Sequence, residues 1–302
     1  MMEIVKEFIE KNSIGKYEEN VSLAKHTTYR VGGNAKMFVY PKNQEKLINL
    51  LNFLKNNKIK YKVLGNGSNT LFSDKEYDGV IVKLDCFDNI KYFRNTVTAE
   101  AGVNLIKLSN QTVRKGLAGL EFATGIPGTV GGAIYMNAGA YKSDMGYITK
   151  SAKVLTPNLE VIVMTNKELN FHYRSSFLQK NKDYICLEAT FELRKNDKNL
   201  LLEIVEDRKK RRIESQPLEY PSAGSVFRNP ENLFAGKLIE DLGYKGYSIG
   251  GAKVSEKHAN FIINYNNATS SDIKELIEFI KKEVKEKYNV ELKVEQEFVN
   301  WE

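Results

Sequence analysis

Apolar and polar positions alternate along this chain with two different periods, and the elements can be read from where one gives way to the other. Residues 1–11 mix charges and apolar residues as an amphipathic helix does. The run TTYRVGGNAKMFVY (27–40) is rich in strand formers, broken by Gly32 and Gly33. In residues 43–57, Leu47, Leu50, Leu51 and Leu54 fall on one helical face, and Asn43 stands where an N-cap belongs. KYKVLG (60–65) reads as a buried strand, which makes the opening stretch a β-α-β unit. Strands are predicted over 79–85, 89–93 and 96–102, then a helix over 104–116 that stops at Gly116. After a glycine-rich segment (116–141) come strands over 152–156, 160–165 and 184–194, with a linker or turn at 195–199. The last third predicts helices over 200–215, 234–243 and 270–289 and strands over 259–265 and 289–301. The stripe Ile273, Leu276, Ile277, Ile280, Val284 marks the buried face of the 270–289 helix, with Asp272 and Glu275 as a cap-like pair. No repeat recurs, which excludes a solenoid or propeller. The mixture predicts an α+β protein with boundaries near 78 and 196, giving parts 1–78, 79–195 and 196–302.

Charge narrows the ligands more than the fold. The 302 residues hold 45 basic and 38 acidic side chains, a net +7 that suits an anionic ligand. No interleaving of aromatic and basic residues points to nucleic acid. Cys86 and Cys186 fit no metal-ligand or disulfide spacing and are expected to be buried, reduced thiols in a reducing compartment. Charges interrupt the N-terminus every few residues, and the apolar run LINLLNFL (47–54) is too short to span a bilayer. The expectation is a cytoplasmic protein without a membrane segment. His26, His172 and His258 form no metal-ligand cluster, so no metal is expected; His258, in SEKHANF, could line a site.

Four segments could carry chemistry. In VLGNGSNTLF, a strand ends and the chain turns through Gly65, Asn66, Gly67, Ser68 and Asn69. Glycines let main-chain N–H groups turn inward as an anion nest, to which Ser68 and Asn69 add side-chain donors. A diphosphate fits such a turn, although a plain tight turn would carry the same residues, and Thr70 breaks the dinucleotide G-x-G-x-x-G pattern. In GIPGTVGGAIYMNAGAY (125–141), Gly125, Gly128, Gly131, Gly132 and Gly139 alternate with apolar residues. Such mixing suggests backbone packed against something flat or bulky, either a ring system or another backbone segment. The two segments together suggest one extended cofactor. In PSAGSVFRNP (221–230), Ser225 lacks the G-x-S-x-G elbow and a histidine partner, so a hydrolase nucleophile is a poor reading. In FHYRSSFL (171–178), Arg174 could hold a carboxylate bidentately or make a structural ion pair. The basic run RKKRR (208–212) reads as a solvated helix face, with Glu206–Lys210 and Asp207–Arg211 pairs, or as a local phosphate contact.

The motifs VLGNGSN, GLEFATGIPGTVGGAIYMNAGAY, YRSSF, PSAGSVFRNP and GGAKVSEKHANFIIN, in that order, resemble the UDP-N-acetylenolpyruvoylglucosamine reductase family over roughly residues 20–299. The resemblance implies a two-subdomain FAD-binding fold of the vanillyl-alcohol-oxidase type plus a C-terminal α/β substrate domain. It implies non-covalent FAD, NADPH as co-substrate, and reduction of the enolpyruvyl ether of a UDP-sugar in peptidoglycan precursor synthesis by a monomer. PSAGSVFRNP and the absence of a substrate-capping tyrosine loop are similar to the family's second type. By position, Ser225 matches the proton donor, Arg174 the active-site arginine and Glu295 the C-terminal glutamate. Val294 and Gln296 replace the usual proline and valine around it, which makes Glu297 a rival. The cofactor would meet Gly65, Asn66, Gly67, Ser68, Asn69, Gly125, Ile126, Pro127, Gly128, Thr129, Gly132 and Asn137. The substrate would meet Tyr141, Tyr173, Asn229 and His258. Lys142 stands where glycine often follows Tyr141. An FAD-dependent sugar oxidase of the same fold is the alternative enzyme, and a basic non-enzymatic binding protein the alternative outside enzymes. No histidine lies within 65–69 or 125–141 to tether a flavin covalently.

Overall fold

Asn43 accepts a hydrogen bond from the Lys46 N–H at 3.0 Å and so opens the helix Gln44–Asn56 where the sequence places it. The computed structural model describes residues 2–302. Its contacts divide into two units of discontinuous segments: residues up to 19, 36–66 and 78–210 in one, and 20–35, 67–77 and 211–302 in the other.

The first unit holds two sheets, apart from the strand ends at 20–22, 34–35 and 77. One orders the strands Gly15–Ser22, Asn34–Pro41, Tyr77–Val82 and Tyr61–Val63, the last two parallel. Helices Met2–Lys11 and Gln44–Asn56 cover it, burying Val5, Ile9 and the four leucines of the apolar stripe against Met37, Val39, Val80 and Val82. Each such leucine contributes about 2 kcal/mol relative to exposure. The other sheet is antiparallel throughout, in the order Val161–Thr165, Thr149–Leu155, Ile185–Glu192, Thr96–Glu100, Ile90–Phe93. Helices Leu105–Arg114 and Val130–Met136 share its core, through Leu105, Leu108, Val130 and Ile134.

The second unit orders Ser248–Ile249, Ala252–Val254 and Ile262–Asn264 in an antiparallel sheet. Helices Ala235–Asp241 and Ser270–Tyr288 share its core with Val226 and Phe227. The strand Glu297–Val299 runs parallel to Thr70–Phe72. Asp74 accepts from the Ser270 and Ser271 N–H groups at 2.8 and 2.9 Å, satisfying the free amides at the start of the long helix.

Several sequence expectations are corrected. Within 27–40 the strand begins only at Asn34, because Arg30 and Gly32 take positive φ (56° and 121°) and turn the chain. The strand at 61–63 is half-buried rather than buried. The box opening the helix Ser270–Tyr288 pairs Thr269 with Asp272, not Asp272 with Glu275. The final strand shrinks to Glu297–Val299. Cys186 is buried but Cys86 is exposed, and both are free thiols; burial pushes the Cys186 thiol up to about 12. The glycine-rich segment, for which the pattern predicts no element, contains the helix Val130–Met136, which Thr129 caps by accepting from the Gly132 N–H.

Candidate active site

In the first unit the two glycine-rich segments meet at Gly65. A Cβ at Gly65 would lie 2.9 Å from Thr129 Oγ1, so only glycine allows the approach. The neighbouring Asn66 side chain donates to the Pro127 carbonyl at 3.2 Å. Lys83, buried just past the strand Tyr77–Val82, donates to the Gly65 carbonyl at 2.6 Å. Burial lowers its pKa, with Asp85 opposing. The amides of Ile126, Gly128 and Gly131 bond to Ala123, Ile126 and Ala101 carbonyls, so that stretch is braced by its own chain. Gly125 is half-buried and Gly132 exposed, so both border open space. A narrow, glycine-lined approach beside a buried ammonium fits the diphosphate of a dinucleotide.

The arginine loop is docked on the helix Val130–Met136. Ser176 Oγ donates to the Tyr135 carbonyl at 2.7 Å, and Asn137 Nδ2 donates to the His172 carbonyl at 2.8 Å. Asn137 Oδ1 accepts from Gly146, so this buried amide is spent on the chain at both ends; it positions the loop rather than reaching a cofactor with its side chain. His172 and Ser175 exchange both main-chain bonds around Tyr173 and Arg174. Arg174 takes the corner with φ 51°, a left-handed conformation that costs an L-residue about 1–2 kcal/mol. Its guanidinium lies 5.3 Å from the ring of exposed Tyr173. Strain of this kind persists where the surroundings enforce it, commonly at functional sites.

Tyr141 and Lys142 form the two-residue turn of the hairpin pairing Gly139–Ala140 with Ser143–Asp144. Both have positive φ (54° and 60°), the type I′ geometry that glycine or asparagine usually supplies. The turn presents exposed Tyr141, whose hydroxyl donates to the Arg208 carbonyl at 2.9 Å and whose ring lies 5.0 Å from the Arg208 guanidinium. Arg208 Nη1 is buried and unpartnered among the described residues. The RKKRR run is therefore not uniformly a solvated face, and Glu206 pairs with Lys209 rather than Lys210.

In the second unit Ser225 follows Gly224, whose φ of 74° requires glycine although nothing crowds it. The half-buried Ser225 hydroxyl makes no hydrogen bond to any described residue, while the chain around it is held from two sides. On one side, the Val226 N–H donates to the Asn260 carbonyl, and the buried Asn260 amide brackets Phe227, accepting from its N–H at 2.9 Å and donating to its carbonyl at 2.8 Å. On the other side, the Glu295 N–H donates to the Val226 carbonyl at 2.8 Å, and Asn69 Nδ2 donates to the Glu295 carbonyl at 3.1 Å. Glu297 instead bonds through its N–H to the Asn69 carbonyl at 2.9 Å. The main chain of Glu295 is thus tied to the serine loop. Between them Gln296 is buried and bonds to the Tyr29 hydroxyl; burial holds that phenol well above its usual range.

Among the remaining candidates, Gly67 (φ 60°) packs against the His26 carbonyl, where a Cβ would not fit. Ser68 is half-buried. Asn229 Oδ1 accepts from the Ala235 N–H at the start of the helix Ala235–Asp241, an anchoring role. His258 is half-buried, accepts at Nδ1 from the Asn260 N–H, and has its pKa lowered by burial. Asn260 itself escaped sequence reasoning; its one signal is a polar residue set between Ala259 and the apolar run Phe261–Ile263.

Comparison with known proteins gives the family of the chain. The family model described as the C-terminal domain of UDP-N-acetylenolpyruvoylglucosamine reductase matches residues 216–299, and an FAD binding domain model matches residues 35–165. The UDP-N-acetylenolpyruvoylglucosamine reductase of Anoxybacillus flavithermus is 44% identical over 299 residues, 99% of each chain. That of Caldanaerobacter subterraneus is 47% identical over 285 residues, 94% of each. The chain belongs to the UDP-N-acetylenolpyruvoylglucosamine reductase family. The crystal structure of the reductase from Thermus caldophilus superposes with a TM-score of 0.79 at 32% identity, covering 94% of this chain and 99% of that one. This family membership carries the α+β architecture with an FAD-binding part, as the sequence motifs imply. Among the described residues no helix is long and apolar enough to cross a membrane. The same residues hold no cluster of metal-ligating side chains.

Proposed function

We propose that this reductase converts the enolpyruvyl ether of UDP-N-acetylglucosamine to the lactyl ether, giving UDP-N-acetylmuramate for peptidoglycan precursors. The observation that carries the reading is the Ser225 hydroxyl, set on a loop held from two sides but itself without a hydrogen-bond partner among the described residues. Gly65, Asn66, Gly67, Ser68 and Asn69, with the Gly125–Gly132 stretch, hold FAD non-covalently. When bound, FAD supplies hydride transfer, drawing on NADPH and delivering to the methylene carbon of the enol ether.

As hydride arrives there, negative charge develops on the neighbouring carbon and its carboxylate. Arg174, pre-set by its strained turn, stabilises that charge without having to reorganise. Ser225 donates the proton that completes the lactyl carbon. A serine hydroxyl is a weak acid, so the step depends on the strong basicity of the enolate-like intermediate. Glu295 assists through its hold on the Val226 carbonyl and acts near the enolate only when protonated or paired with a cation. Tyr141, Tyr173, Asn229 and His258 line the substrate side. We keep 1–78 and 79–195 as the flavin-binding subdomains and 196–302 as the substrate domain of a cytoplasmic monomer of the second type.

The test is optical. Purified protein should be yellow, bleach anaerobically with NADPH and recover its colour on addition of the enolpyruvyl sugar nucleotide. Colour that returns equally well without that substrate under anaerobic conditions would reject the reading.

A further inference from the structure

Lys83 is an unusual lysine. Its side chain is only 6% exposed, its ammonium donates to the Gly65 carbonyl, and its charged neighbour Asp85 is 3.4 Å away and 54% exposed. An ammonium taken out of water for one carbonyl and one solvated carboxylate is poorly compensated, so fold stability alone is a weak reason to keep it. Its position supplies a better one. Because the peptide between Gly65 and Asn66 is planar and trans, its C=O and N–H point in opposite directions. With the carbonyl captured by Lys83, the Asn66 N–H is aimed the other way, and it makes no hydrogen bond to any described residue. On the same turn, Gly65 faces Thr129 and Asn66 reaches the Pro127 carbonyl.

We propose that Lys83 is a positioning residue for the diphosphate of the flavin cofactor: it draws the Gly65 carbonyl away from the anion, presents the Asn66 N–H to it, and sets a buried positive charge behind the turn. The proposal rests on the reading of the Gly65–Asn66 turn as the diphosphate site. Without Lys83 the carbonyl is free to rotate toward the anion, where its oxygen repels the phosphate.

Lys83→Gln tests this, since it keeps an N–H donor for Gly65 and removes the charge. Apoprotein is titrated with FAD and followed by quenching of flavin fluorescence, and unfolded in urea without FAD. FAD affinity should fall at least about tenfold, the loss expected for a charge-assisted interaction. The urea midpoint of the apoprotein should hold or rise, because a poorly compensated buried charge is gone. Unchanged affinity would overturn the proposal. So would an apoprotein midpoint that falls along with affinity, or a variant that does not fold, since either makes Lys83 a structural residue. Wild-type apoprotein that fails to bind FAD would instead reject the cofactor reading itself.

Discussion

Replacing Asn260 with alanine is the sharpest structural perturbation of the serine loop. Phe227 pairs with Val294 as an isolated bridge, in which the Val226 carbonyl and the Arg228 N–H bond to the Glu295 and Lys293 main chain. Phe227's own N–H and carbonyl face the other way, and Asn260 satisfies both at 2.9 and 2.8 Å. Asn260 is 4% and Phe227 1% exposed, so water does not replace the lost amide. Each bond contributes about 1 kcal/mol net, and leaving two buried backbone groups unpaired raises the total cost to about 3 kcal/mol. With an m-value of about 3 kcal/mol/M, the urea midpoint should fall about 1 M with unchanged slope. Because the same residue's main chain holds the Val226 N–H next to Ser225, stopped-flow oxidation of reduced flavin by the enolpyruvyl substrate should slow as well. A stability loss below about 1 kcal/mol would refute the reasoning, since it would mean that solvent or a shifted backbone satisfies Phe227.

Arg174→Gly keeps the positive φ without strain and removes the guanidinium. Flavin should stay bound and reducible, while its oxidation by substrate slows at least about a hundredfold, as for loss of a preorganised charge; a colourless variant would make Arg174 structural. Asp74→Ala should cost about 1 kcal/mol at pH 7 as a lost helix cap. Desolvation works to raise the Asp74 pKa, but hydrogen bonds from Ser271 and Ser270 win and hold it below the usual value. A carboxylate depressed on folding stabilises above its unfolded pKa, and that contribution is lost as pH falls through the folded value. The gap between wild type and variant in urea melts should therefore narrow below about pH 4; a gap independent of pH would contradict the assignment.

Local chemistry made much of the fold legible. The leucine stripe and the Asn43 cap fix the helix Gln44–Asn56, and Gly243 (φ 76°) follows the helix Ala235–Asp241 as a stop should. The helix Val130–Met136 was hidden because Gly131 and Gly132, poor helix formers, occupy its first turn; close approach to Ala101 selects Gly131 there. The Tyr141–Lys142 turn was hidden for the opposite reason, since neither residue favours the positive φ that both adopt. Arg208 read as one basic residue in a run, and only the fold sets it on Tyr141. At the site, the residue types were legible in order along the chain. The supports were not: Asn260 and Phe227 are 33 positions apart and Asn69 and Glu295 are 226 apart, and no local pattern encodes such pairings. Cys86 misled because free cysteine usually behaves as a small buried hydrophobe.

The proton donor is the centre of the account, and Ser225→Ala addresses it alone. Under anaerobic conditions, NADPH should bleach the flavin of this variant at a rate within about twofold of wild type. Recolouring by the enolpyruvyl sugar nucleotide should slow at least about a hundredfold, the range for loss of a general acid. Equal slowing of both half-reactions, or recolouring at the wild-type rate, would contradict the assignment of that proton to Ser225.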